Sequence, residues 1–241
     1  MVAKISGTTG GATKGGSMFC EIKSLLASGE IERLRALAST MEFVDGRVSN
    51  QTNPTKQNLQ AVRSGTDQRY AESVRIVTEA LGRSREFREF AFPKRLSEPL
   101  LSRYDTGMSY GAHPDSPYLP VAPSGLLRTD LSATIFISDA ESYQGGELVV
   151  YLGTRKLAFK GSAGDAIVYP STKLHEVSKV TQGTRLVSIV FIESIIADEY
   201  KRAQVHELNE IAALEGANMS WENRMRFEVA RNNLMRMWSE T

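Results

Sequence analysis

The sequence predicts a mainly β domain of the sandwich or barrel kind, flanked along the chain by helices. Two observations predict it. From Leu100 to Phe191 short β-like runs follow one another, separated by turn residues and with no helical segment between them. Before and after that stretch, apolar residues recur at helical spacing. A chain of 241 residues, 41% of them hydrophobic, is long enough to bury one sizeable core. The expected organisation is a flexible Gly/Thr/Ser-rich tail over residues 1–17, a domain over 18–196 whose β core covers about 97–196, and a helical extension over 197–241.

In chain order, Ile22 to Met41 carries apolar residues at helical spacing, with Ser28-Gly29 as a place where the segment can break. Val44 to Pro54 is polar, with a turn at Asp45-Gly46. Gln60 to Leu81 reads as a second amphipathic helix, with Val74, Val77 and Leu81 on one stripe. Pro93 and Pro99 mark the switch to extended chain. The predicted strands are Leu100–Tyr104, Leu131–Ser138, Glu147–Tyr151, Lys156–Phe159, Ala166–Tyr169, His175–Val180 and Arg185–Phe191. The chain from Asp198 to Trp238 reads as helix again. It turns near Gly216–Ser220, and Ser220 is the predicted cap of the last helix.

Composition narrows the classes of function. Net charge is +1, so no global basic field points to nucleic acid. Cys20 is the only cysteine, so there is no disulfide framework, which fits a reducing cytosol. No apolar run approaches the roughly 20 residues of a membrane span, and the N-terminus lacks the apolar stretch of a signal peptide.

The chemistry-bearing residues are His113-Pro114-Asp115 and His175. Residues i and i+2 of extended chain face the same side, so His113 and Asp115 can reach one ion. With His175 they resemble the facial triad of non-haem iron(II) oxygenases, two imidazoles and one carboxylate that leave other metal positions open. The chain holds three histidines, and two fall in this pattern. Taken alone, His-x-Asp is common on solvent-exposed loops. Arg185 adds weight through a parity argument. If Thr181-Gln182-Gly183 form a three-residue hairpin loop, Val180 pairs with Thr184 and Arg185 lies opposite Lys179. Lys179 is four residues from His175, so Arg185 shares the metal-facing side, set back by about 10 Å at about 3.3 Å per residue. A two-residue loop would put it on the other face. A guanidinium at that depth can grip one carboxylate of a small diacid by two parallel bonds. Without the triad, Arg185 reads as a surface arginine at a hairpin.

Other features have plainer readings. His206 sits on a predicted helix without a metal-spaced partner. Gly145-Gly146 is a turn before a strand and not a phosphate cradle, because no helix N-terminus follows. Asp165 shapes the turn before its strand. Cys20 reads as buried. Arg83, Arg85 and Arg88, alternating with Glu86 and Glu89, read as a solvated helix face.

Several motifs together carry a family resemblance. Tyr104-x-x-Gly107-x-x-Tyr110-x-x-His113-x-Asp115 resembles the prolyl 4-hydroxylase branch of the iron(II)/2-oxoglutarate dioxygenases. Arg128-Thr129-Asp130-Leu131-Ser132-Ala133-Thr134, Tyr143-x-Gly145-Gly146-Glu147-Leu148, Ala163-Gly164-Asp165, Tyr169-Pro170-Ser171 and Leu174-His175-x-Val177 are similar to the bacterial PKHD-type hydroxylases. The likeness is strongest from about Leu100 to Ile196, looser in the tail ending Asn233-Leu234-Met235-Arg236-Met237-Trp238, and weak before Ser97.

The resemblance implies a double-stranded β-helix, or jelly roll, with N-terminal helices packed outside and a C-terminal helical appendage. It implies His113, Asp115 and His175 as iron(II) ligands and Arg185 as the partner of the distal carboxylate of 2-oxoglutarate. Tyr104 matches a tyrosine that hydrogen-bonds the same cosubstrate, with a packed strand aromatic as its other reading. Tyr110 is a candidate for the substrate entrance or for core packing. The implied reaction consumes O2, releases succinate and CO2, and hydroxylates a C–H bond, with L-ascorbate as a reductant of the iron. The substrate class stays open among a peptidyl prolyl or lysyl residue, an amino acid and a small metabolite, as does the oligomeric state. Two other readings also stand: a cupin-like jelly-roll protein, and a degenerate dioxygenase that binds without turnover.

Overall fold

The computed structural model describes residues 18–121 and 125–240; the expected tail over 1–17 lies outside them. The elements in chain order are β1 (Cys20–Ile22), α1 (Ser28–Thr40), β2 (Phe43–Asp45), β3 (Lys56–Gln57), β4 (Leu59–Ala61), α2 (Gln68–Arg83), α3 (Arg85–Ala91), β5 (Pro93–Leu96), β6 (Leu100–Tyr104) and β7 (Ser109–His113). There follow β8 (Tyr118–Pro120), β9 (Leu126–Arg128), β10 (Leu131–Phe136), β11 (Leu148–Leu152), β12 (Arg155–Phe159), β13 (Ala166–Pro170), β14 (His175–Val177), β15 (Arg185–Ser194), α4 (Glu199–Glu215) and α5 (Trp221–Trp238).

Two antiparallel sheets face each other as a jelly roll. The larger runs β1-β13-β10-β15-β6-β4-β2, with β5 on the far half of β15; the smaller runs β12-β11-β14-β7-β3. Alternation along the strands sorts their side chains. Leu131, Ala133 and Ile135 of β10, Leu186, Val190 and Ile192 of β15 and Leu101 of β6 join the core beneath α1, α2 and α3. Phe136, Val187, Ile167 and Tyr169 face the smaller sheet and pack with Leu148 and Val150.

All seven predicted strands form, with ends shifted by a few residues. Two predicted helices start later than the periodicity suggests. Ile22 belongs to β1, which pairs with β13. The helix opens at Ser28, where the Glu30 carboxylate accepts from the Ala27 N–H, so Ser28-Gly29 begin the helix instead of breaking it. Gln60 and Ala61 belong to β4, and the helix begins at Gln68, capped by Asp67. In both cases sheet pairing takes residues that periodicity assigns to a helix.

The predicted hairpin between His175 and Arg185 does not form. β14 lies in the smaller sheet against β11 and β7. β15 lies in the larger sheet between β10 and β6. The chain therefore crosses the sandwich over residues 178–184, and the residue opposite Arg185 is Tyr104, not Lys179.

Ser220 caps α5 as predicted, accepting from the Asn223 N–H. The last two helices pack on α3 and beside the end of β15. α4 packs on α3, with His206 Nδ1 bonded to the Glu89 carbonyl and its ring set edge-on to Phe90. Met235 and Trp238 of α5 close over Phe92, Ile196 and Val205.

Candidate functional site

His113 and His175 are direct cross-strand partners on β7 and β14, with ring centroids 4.4 Å apart. Pro114 has no N–H to offer the ladder, so β7 ends at His113 and Asp115 turns inward two residues on. One ligand atom from each of His113, Asp115 and His175 falls within 4.8 Å of the others.

The surroundings prepare each group. His113 Nδ1 lies 2.8 Å from the Gly111 carbonyl and His175 Nδ1 lies 2.9 Å from the Lys173 carbonyl. A carbonyl only accepts, so Nδ1 carries the proton in both rings and each Nε2 lone pair is free for a metal. Burial pushes the His113 pKa down to about 4, and the neighbouring His175 adds to the effect. The imidazole is therefore neutral, as a metal ligand must be. Burial raises the Asp115 pKa, opposed by His175 and by the Ser132 hydroxyl, which donates to Oδ2 at 2.6 Å. Ser132 in turn lies 2.7 Å from the Ser171 hydroxyl. The Asp115 side chain is 10% exposed, and its nearest basic atom, His175 Nε2, is 3.6 Å away. A desolvated carboxylate beside two imidazole Nε2 atoms fits a divalent cation. Tyr110 stacks on His113 at 3.5 Å and 17°, and Asn50 Nδ2 donates to its hydroxyl. Tyr169 meets His175 edge-on. Tyr110 thus packs against His113 and also lines the cavity beside the triad.

The triad opens into a cavity of about 450 Å³ between the sheets, which Tyr104, Thr134 and Arg185 also line. Arg185 is 1% exposed, and its Nε and Nη1 have no hydrogen-bond partner. The Tyr104 ring lies beneath it, 5.0 Å from the guanidinium carbon. Buried polar atoms without partners are rare, and a buried cation with free donors is a socket for an anion. Gly146 makes room for it. At φ +68° a glycine is at ease, and a Cβ there would stand 3.0 Å from Arg185 Cδ and 3.1 Å from the Tyr143 ring. The Gly145-Gly146 turn therefore shapes the space around Arg185 as well as the chain.

Sequence reasoning missed two residues here. The Tyr143 hydroxyl is buried without a partner, close enough to Arg185 to feel its charge. Lys56 lines the cavity from β3. Tyr143 stood inside a quoted motif but carried no signal of its role; Lys56 lay between the polar stretch ending at Pro54 and the helix predicted from Gln60, where no local pattern singled it out. Asp165 shapes its turn as read, accepting from Lys23, Ser24 and Ser162. Cys20 is half-buried on β1, against the helical core.

Residues 99–193 match the family model described as the 2OG-Fe(II) oxygenase superfamily. A PKHD-type hydroxylase of Sphingopyxis alaskensis is 47% identical over 218 residues, covering 90% of this chain and 98% of that one. The PKHD-type hydroxylase YbiX of Escherichia coli is 38% identical over 226 residues, covering 92% of this chain and all of its own. Among solved structures, a Pseudomonas putida prolyl-4-hydroxylase shares the fold at a TM-score of 0.54 and 16% identity, over 73% of this chain and 92% of that one. This chain belongs to the PKHD-type hydroxylases, within the 2OG-Fe(II) oxygenase superfamily.

Proposed function

We propose that His113, Asp115 and His175 hold one iron(II), that Arg185 grips the distal carboxylate of 2-oxoglutarate, and that the enzyme hydroxylates a C–H bond of a substrate entering beside Tyr110. The observation that carries this reading is Arg185, a buried guanidinium with two unpartnered nitrogens in the same cavity as the triad. When bound, the iron supplies the chemistry of the superfamily, in which O2 and 2-oxoglutarate become succinate and CO2 as the substrate is hydroxylated.

The chain's own residues bind and orient. The two Nδ1–H bonds fix the imidazoles so that each presents Nε2. Ser132 holds the Asp115 carboxylate from its outer oxygen. Arg185 and Tyr104 form the floor that sets the depth of the cosubstrate. Because that floor is buried, a charge pair is strong there. The cupin-like reading gives no use to Arg185, and membership of a hydroxylase family argues against a non-catalytic sensor.

Residues 18–196 form the catalytic unit in this reading and 197–241 its helical extension. L-ascorbate is the natural reductant for stray oxidised iron, and the single cysteine fits a cytosolic setting. Among the described residues no helix is long and apolar enough to cross a membrane. The substrate is a peptidyl prolyl or lysyl residue, an amino acid or a small metabolite, and the near-neutral net charge argues against nucleic acid.

The test is an anaerobic titration of 2-oxoglutarate into the iron(II) form, followed by the metal-to-ligand absorption band. Losing a buried, hydrogen-bonded charge pair costs about 2–5 kcal/mol. Arg185→Gln should therefore weaken 2-oxoglutarate binding by roughly 30-fold to several thousand-fold, at about 1.4 kcal/mol per tenfold, with iron still bound. An unchanged midpoint would remove Arg185 from the cosubstrate site.

A further inference from the structure

The half of the cavity nearest Arg185 is balanced in charge once it is loaded. Iron(II) and Arg185 together offset the Asp115 carboxylate and the two carboxylates of 2-oxoglutarate. The rest of the cavity lining is not balanced. Lys56 lies on β3, paired across to Tyr110 of β7. Its ammonium sits 5.1 Å from the Tyr110 ring centroid and donates to Ser49 Oγ at 2.6 Å. The residue is 8% exposed, yet it makes no salt bridge among the described residues.

Arg63 lines the same cavity from the chain that follows β4, is exposed, and also lacks a salt bridge among the described residues. Arg63 is close enough to disfavour the charge on Lys56. The carboxylate with the largest influence on Lys56 is Asp115, which the iron site claims. Elsewhere the arrangement differs: Arg33 pairs with Glu72, Arg83 with Glu30 and Arg128 with Asp130.

A largely buried ammonium beside a second cation, with no anion of its own, is an expensive arrangement. Burial lowers the Lys56 pKa to about 8, which records that cost. An anion arriving from outside removes it. Such an anion would meet Lys56 on the smaller-sheet side of the cavity, opposite β15, while Ser49, Asn50 and Gln60 offer neutral polar contacts around it.

We propose that the prime substrate carries an anionic group, a carboxylate or a phosphate, and that Lys56 and Arg63 receive it beside the triad. This rests on the reading of the site given under Proposed function. The substrate class narrows accordingly: an acidic metabolite, an amino acid with a free carboxylate, or a peptide with an acidic or C-terminal carboxylate near the hydroxylated position.

The experiment uses the full chain loaded with Mn(II) and N-oxalylglycine, an unreactive analogue that occupies the cosubstrate position. Binding of N-oxalylglycine is measured first by calorimetry, and its failure would count against the iron and cosubstrate reading itself. Three probes are then titrated: benzoate, benzamide and phenyl phosphate. Benzoate, phenyl phosphate or both should bind about tenfold or more tightly than neutral benzamide, and the better of the two anions names the group.

Lys56→Gln and Arg63→Gln should each remove most of that preference and leave N-oxalylglycine binding unchanged. Arg63 is exposed, so its variant keeps the test decisive even if Lys56→Gln fails to fold. Equal binding of the three probes would overturn the proposal. So would an anion preference that survives in both variants, which would place the anion on the metal. A loss of N-oxalylglycine affinity in Lys56→Gln would also overturn it, by assigning the lysine to the cosubstrate.

Discussion

The two faces of β15 and its neighbours solve opposite problems. On the outer face Leu186, Val190 and Ile192 sit with Leu101, Leu131, Ala133 and Ile135 under α1–α3, an apolar layer built for packing. On the inner face Arg185, Ile189 and Phe191 share a cavity with Thr134, Tyr169 and the triad. Each face also buries polar atoms without partners: Ser188 Oγ outside, Arg185 inside. The outer face loses stability through its orphan and gains nothing visible, whereas the inner orphan faces the cavity that the triad lines. The comparison teaches that an unsatisfied buried group acquires meaning from what faces it.

The largest expected effect breaks the inner face alone. His175→Ala should abolish specific iron(II) binding, since two remaining ligands hold a labile ion poorly, while circular dichroism keeps the wild-type β signal. Equilibrium dialysis giving wild-type affinity would sink the triad.

The outer face should fail differently. Ile192 is fully buried there, and Ile192→Ala should cost about 2–5 kcal/mol of unfolding free energy, read by urea denaturation. The folded fraction should still bind 2-oxoglutarate normally. A matching loss of cosubstrate affinity would show that the two faces are not independent.

Ser132 tests the support behind a ligand. Its hydroxyl donates to Asp115, so Ser132→Ala should weaken metal affinity about 10- to 100-fold, with little change in thermal stability of the metal-free protein. Unchanged affinity in a competition assay with a chelating dye would make that hydrogen bond structural only.

The smallest effect sharpens the contrast between the orphans. Ser188→Ala removes a buried hydroxyl that has no partner. It should leave stability unchanged or raise it by up to about 1 kcal/mol, with iron and 2-oxoglutarate titrations identical to wild type. A clear loss of binding would mean that Ser188 serves the site through the sheet.

Much of this molecule was legible in the sequence. Strand periodicity and turn residues located seven of the ten strands from β6 onward, because alternation and glycine punctuation are local properties of the chain, and missed β7, β8 and β9, which are short and lack that alternation. His113 and Asp115 could be placed together from their i, i+2 spacing alone. The motifs around them identified the family, and with it the jelly roll.

The parity argument reached the right face for Arg185 through a hairpin that does not exist. The face of a strand residue follows from its partner strand, and the sequence between β14 and β15 does not say that the chain changes sheets there. Cross-strand contact of His175 with His113, the register of Arg185 with Tyr104, the room left by Gly146 and the burial of Lys56 without a salt bridge among the described residues are all non-local. They depend on segments tens of residues apart meeting in one register, which no local pattern encodes. The late starts of α1 and α2 have the same cause, since β1 and β4 are strands only because β13 and β6 lie beside them. The sequence by itself determined the family, most of the strands from β6 onward and which residue types could bind a metal. Tertiary structure decided which of those residues share a cavity and which buried charges are left without a partner, because burial and desolvation exist only once the two sheets have closed over them.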